Sequence, residues 1–67
     1  MRPGTLLKVR DDHKGLFITL FWKGIVHDYV YKSDVIITLD SSDRDYHEVF
    51  VRGMRGFLVK GLVEVVG

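Results

Sequence analysis

The 67 residues contain no cysteine, so no disulfide staples the chain and no thiolate is available to hold a metal. That composition fits a reducing compartment. Apolar runs are short, whereas a membrane helix needs roughly 20 apolar residues in a row. The opening, MRPGTLLKVRDDHKG, returns to charge too soon for a signal peptide. The expectation is therefore a cytoplasmic protein with no membrane partner. The phosphate-cradling patterns GxxxxGK[ST] and GxGxxG are both missing. No window carries an i, i+3, i+4, i+7 apolar stripe with caps, so helix is not expected anywhere of length. Net charge is only +1, which argues against a dedicated DNA coat protein.

What is present is a folded, strand-rich composition. The hydrophobic share is 46%, far above that of a disordered tail. A chain this short buries only about 60% of the surface it exposes when unfolded. One domain, residues 1–67, is all that it can build, and a compact core must supply its stability.

Alternation and β-branched residues dominate the pattern. Residues 5–10 read as a strand with Leu7 and Val9 on one face and Lys8 and Arg10 on the other. Residues 11–15 are a loop by composition. Residues 16–22, LFITLFW, form a second strand, with Leu16, Ile18, Leu20 and Trp22 on one face and Phe17, Thr19 and Phe21 on the other. Both faces are apolar, so this strand is central or its outer face meets something. Lys23-Gly24 permits a tight bend into residues 25–31, where Ile25, His27, Tyr29 and Tyr31 share a side. Residues 35–39 and 46–52 are further strands, separated by an acidic turn. Residues 60–62 form a short 3₁₀ connector, and residues 63–66 close the chain as a last short strand.

The segment VFVRGMRGFLV, residues 49–59, poses a choice between a basic nucleic-acid grip and a bend. Large apolar residues clamp both ends, which is the signature of a hairpin. Residues 53–56 are read as that turn, after which Phe57-Leu58-Val59 runs back as a strand; Gly53 can take positive φ, and Gly56 can sit where the chain reverses or presses on a neighbour. Five or six short strands with close turns predict an all-β fold, a small barrel curled closed to bury one face and remove open edges.

The spacing Tyr46-x-x-Val49, Gly53, Gly56-Phe57-Leu58, Leu62-Val63-Glu64 resembles the closing half of bacterial SH3-like domains, with Phe57 where tryptophan is usual. Pro3 to Val9 is similar to the first strand of such barrels in small phage and bacterial proteins. The resemblance covers residues 4–10 and 46–66. It implies an SH3-like five- to six-stranded barrel of phage or bacterial origin, acting in the cytoplasm of the bacterium or of the phage's host. It implies a fold more than a ligand, because fold and function travel separately. The wall-binding "LNVR" stretch and the proline-binding ALYDY-like stretch are both absent.

Chemistry is not expected. His13, His27 and His47 show no ligand spacing. The run at 40–48, DSSDRDYHE, fails the calcium-loop pattern because Arg44 or Glu48 falls at a position that the loop cannot spare. It reads as a polar hairpin tip whose Asp and Ser side chains bond the local backbone. Ser41, Ser42, Asp45 and His47 suggest a triad only nominally, since they share a loop and a small barrel has little room for a cleft. No enzyme and no cofactor are therefore expected.

Two binding functions remain. The first is a protein-binding or self-associating module that uses Phe17, Phe21, Trp22, Tyr29 and Tyr31, since the aromatics exceed what a tiny core hides. The alternative is nucleic-acid binding through Arg52, Arg55, Lys60, Lys8 and Arg10 with an aromatic stacking nearby.

Overall fold

A computed structural model describes residues 2–66. Seven antiparallel strands make one sheet: β1 (Leu6–Val9), β2 (Phe17–Trp22), β3 (Ile25–Tyr31), β4 (Ile36–Asp40), β5 (Tyr46–Val51), β6 (Met54–Val59) and β7 (Val63–Val65). A single 3₁₀ turn, Lys60–Leu62, joins β6 to β7 at the place expected of it. The spatial order is β3-β2-β6-β5-β4-β1-β7. The all-β expectation holds, but the sheet has seven strands rather than five or six and is not closed. Its terminal strands, β3 and β7, each pair on one side only. The sheet curls strongly all the same, and the molecule measures 28 × 26 × 23 Å.

Two hairpins have the same local cause. Lys23 and Gly24 have φ of 53° and 76°, and Arg52 and Gly53 have φ of 48° and 77°. Positive φ at both central residues defines the type I′ turn, whose twist matches that of paired strands. Trp22 faces Ile25 across the first turn, and Val51 faces Met54 across the second. The second turn is thus only two residues long. Met54 to Gly56, expected to lie in the bend, belong instead to β6.

Gly56 does what the second half of its expectation described and presses on a neighbour. A Cβ there would stand 2.7 Å from Leu20 Cγ and 2.7 Å from the Phe21 carbonyl oxygen. Absence of a side chain lets β6 approach β2, and Phe21 pairs with Phe57 next to the contact. β2 is accordingly an interior strand, flanked by β3 and β6, which is the first of the two alternatives its apolar faces left open.

The buried core comprises Leu7, Val9, Ile18, Leu20, Val30, Ile36, Val49, Val51, Leu58 and Val63, packed by Met54 and Leu62. Strand alternation places six of these in pairs two residues apart, Leu7 with Val9, Ile18 with Leu20 and Val49 with Val51. At β2 the alternation fails. A register shift between Leu20 and Phe21 interrupts the pairing with β3 and, as bulges do, re-aims the residues beyond it. Leu16, expected on the inner face, lies ahead of the strand and is 83% exposed.

Candidate binding surface

The core contains no aromatic residue. All eight aromatic rings therefore lie outside it, half-buried or exposed. They fall into distinct groups that the strand order creates.

The first group surrounds a groove of about 260 Å³ lined by Phe21, Gly24, Asp43, Tyr46 and Phe57. Phe21 meets Tyr46 edge-on at 6.3 Å between ring centroids. Trp22 stacks on Phe57 at 6.1 Å and 19°, and the Arg55 guanidinium lies 5.4 Å from the centroid of the Trp22 ring. Arg55 and Phe57 alternate with buried Gly56 and Leu58 along β6. Trp22 therefore meets the outer surface, not the inner face on which plain alternation from Ile18 would put it. Arg55 also bonds the Glu48 carboxylate across the β5–β6 ladder, which locks the guanidinium over the indole.

The carboxylate on the rim of this groove is fixed by its own loop. Asp43 Oδ1 accepts the backbone N–H groups of Asp45 (2.8 Å) and Tyr46 (3.0 Å). These two bonds hold its carboxyl below the ordinary aspartate range. Ser42 likewise donates to Asp40 at 2.6 Å. Asp43 thus makes the side-chain to backbone bonds expected of the acidic tip, whereas Ser42 bonds a neighbouring side chain instead.

The second group, Phe17, Tyr29 and Tyr31, covers the outer face of β2 and β3. Phe17 lies 4.5 Å from the Tyr29 ring centroid and 6.0 Å from that of Tyr31. Arg52 sits 5.9 Å from the Tyr31 ring centroid, donates to the Tyr29 carbonyl at 2.5 Å and pairs with Asp34 at 3.1 Å. A third, mostly aliphatic row runs across β1, β4 and β5, where Leu6 pairs with Ile37 and Ile37 with Phe50. All three residues of that row are exposed.

Of the five residues expected to bind protein, Phe21 and Trp22 belong to the groove group, and Phe17, Tyr29 and Tyr31 belong to the second. Tyr46, Phe57 and Asp43 complete the groove but were not singled out by sequence reasoning. Tyr46 and Phe57 carry the SH3-like spacing, so a signal was present. It could not show that β6 docks beside β2 and brings the two rings to Phe21.

The five basic residues of the nucleic-acid alternative are each engaged within the chain. Lys8 pairs with Asp11 at 3.3 Å and Glu64 at 3.7 Å, and chiefly the Asp11 hydrogen bond pushes its amine up. Arg10 pairs with Asp12 at 3.0 Å. Arg52 and Arg55 hold the carboxylates already described. Lys60 donates to the Ser41 carbonyl at 2.8 Å.

The nominal triad is brought together only in part. Ser41 Oγ is 2.7 Å from His47 Nδ1, but the Asp45 carboxylate pairs with Arg44, at 3.5 Å. His47 points inward from β5, opposite Leu58, and is 94% shielded, with 6% of its surface exposed. Burial, then the charge of Lys60, pushes its pKa below the ordinary histidine value. His13 bonds the Phe17 carbonyl at 3.0 Å, and His27 lies on exposed β3. Among the described residues no three His, Asp or Glu side chains gather as metal ligands. Set against family models, curated proteins and solved structures, the chain has no match in any of the three.

Proposed function

We propose that the protein is a non-enzymatic binding module that recognises a protein partner through aromatic side chains on the outer surface of its sheet. One observation carries this reading: the core is complete with aliphatic residues alone, and every aromatic ring is placed outside it. Rings held at half exposure in defined pairings offer large contact area at small entropic cost, which is what recognition surfaces use. Apolar residues scattered singly over a surface need no explanation, but grouped ones mark interaction sites. The site residues are Phe21 and Trp22 at the groove and Phe17, Tyr29 and Tyr31 beside it. Self-association is one form of the same function.

The proposal includes an SH3-like relationship for the fold, of phage or bacterial origin and cytoplasmic setting. Its support is local. Tyr46 opens β5, Val49 is buried, Gly53 makes the turn, Gly56-Phe57-Leu58 lie in β6, and the 3₁₀ turn leads into β7. Nucleic-acid binding through Lys8, Arg10, Arg52, Arg55 and Lys60 has weaker support, because each cation already has an intramolecular partner that would have to be displaced.

The test compares wild type with Trp22→Ala and with Phe17→Ala/Tyr31→Ala, each confirmed folded by circular dichroism, in pull-downs from source-cell lysate. A protein captured by wild type and lost by a folded variant supports the reading. Capture unaffected by every variant sinks it. So does a gel-filtration shift produced only by oligonucleotides, with affinity falling by about 0.7 to 0.9 log units per log of salt for each phosphate neutralised.

A further inference from the structure

The groove is unusual in combining three aromatic walls with an ionised carboxylate at one rim. Phe21, Tyr46 and Phe57 come from three different strands, Gly24 adds backbone without a side chain, and Asp43 comes from the β4–β5 loop. We infer that this groove receives the cationic side chain of a lysine or arginine of the partner protein. The inference rests on the binding-module reading and specifies the chemistry of its partner.

The groove and a basic side chain are complementary in charge and shape. Aromatic faces carry negative potential, so a cation with an aliphatic stem is held by ring faces along the stem and at the head. Asp43 uses only Oδ1 for its loop, in the bonds from Asp45 and Tyr46, and Oδ2 accepts no hydrogen bond among the described residues. The same two bonds keep the carboxylate ionised. An anionic ligand would face that charge directly, and a neutral one would leave it unused. Two cations stand near Asp43. Arg44 extends into solvent with 93% of its side chain exposed and pairs with Asp45, and Lys60 is held to the Ser41 carbonyl. Neither lines the groove. The protein already places two cations on aromatic rings in this way, Arg52 over Tyr31 and, beside the groove, Arg55 over Trp22.

The experiment needs no identified partner. The full chain is titrated with N-acetyl-lysine amide, N-acetyl-arginine amide and the neutral N-acetyl-norleucine amide, following aromatic ring resonances by NMR. The expected result is saturable shifts at Phe21, Tyr46 and Phe57, with the cationic probes binding about three- to tenfold more tightly than norleucine. Asp43→Asn retains an Oδ1 acceptor for the loop and should erase most of that preference while leaving the amide spectrum otherwise intact. Equal affinity for norleucine overturns the inference, as does an Asp43→Asn protein that keeps the preference, or rings that respond to no probe. In each of these cases the module reading stands or falls separately, on whether Trp22→Ala or Phe17→Ala/Tyr31→Ala loses its captured protein.

Discussion

Gly56 lies so close to Phe21 that a Cβ on the glycine would stand 2.7 Å from the Phe21 carbonyl oxygen, nearer than such atoms can approach. The obstacle on that side is backbone, which cannot swing aside as a side-chain tip can. Gly56→Ala must therefore push β6 away from β2 at the one place where the two strands pair, at Phe21 and Phe57. The expected cost is about 1–3 kcal/mol of unfolding free energy, read as a lower urea midpoint. A change within about 0.5 kcal/mol, the range of an innocuous surface substitution, would show that the approach is not close in solution.

His47 makes stability depend on pH. Its folded pKa lies below the ordinary value of about 6.5 because it is buried and faces Lys60. As pH falls through that ordinary value, the unfolded chain takes up a proton that the folded chain refuses, so unfolding becomes easier. The stabilisation is fully present above about pH 6.5 and is lost progressively toward the lower, folded pKa. Carboxylates titrate as well, so the measurement is a difference. Wild type should lose more urea resistance between about pH 7.5 and pH 5 than His47→Gln, which cannot titrate there. Equal losses in the two proteins would exclude the histidine as the cause.

Arg52 and Asp34 together cap the Tyr29 to Tyr31 end of the free edge of β3. Tyr29 donates its N–H to Asp28 at 2.7 Å and offers its carbonyl to Arg52. Tyr31 donates to the Asp34 carboxylate at 2.8 Å and accepts from the Asp34 N–H at 3.0 Å. Both backbone groups of both residues are thus bonded within the chain, which denies them to an added strand. Arg52→Ala removes a charged donor and leaves the Asp34 side chain, 12% exposed, without its cation. The expected loss is about 1.5–3 kcal/mol, together with concentration-dependent association in sedimentation velocity. A variant as stable and as monomeric as wild type would refute this role.

Lys23 holds positive φ of 53°, a conformation that residues other than Gly, Asn and Asp rarely adopt. Asn-Gly is the favoured pair for a type I′ turn, so Lys23→Asn should raise stability by about 0.5–1 kcal/mol. A thermal melt reads this as a higher midpoint. A lower midpoint would mean that Lys23 makes a contact of greater worth than its strain.

Much of the fold was legible because it depends on near neighbours. Strand positions followed from two-residue alternation, and Lys23-Gly24 marked its turn by composition. The 3₁₀ turn at Lys60–Leu62 fell where expected. Even the acidic tip is local, since Asp43 bonds residues two and three positions away. The second glycine turn, expected to run to Gly56, ends at Gly53, because composition alone does not separate Arg52-Gly53 from the strand that begins at Met54.

The chain by itself determined that extended segments with one oily face would stack into a sheet, because side-chain period and turn propensity act over a few residues. Only the tertiary structure decided the number and order of strands, the open ends at β3 and β7, and the bulge after Leu20. It alone gave Arg52 partners 18 and 23 residues away and brought Phe21, Asp43, Tyr46 and Phe57 around one groove. The reason is physical: which strands become neighbours depends on which surfaces can approach, and a missing side chain at Gly56 settles that for β2 and β6 without leaving any periodic mark along the sequence.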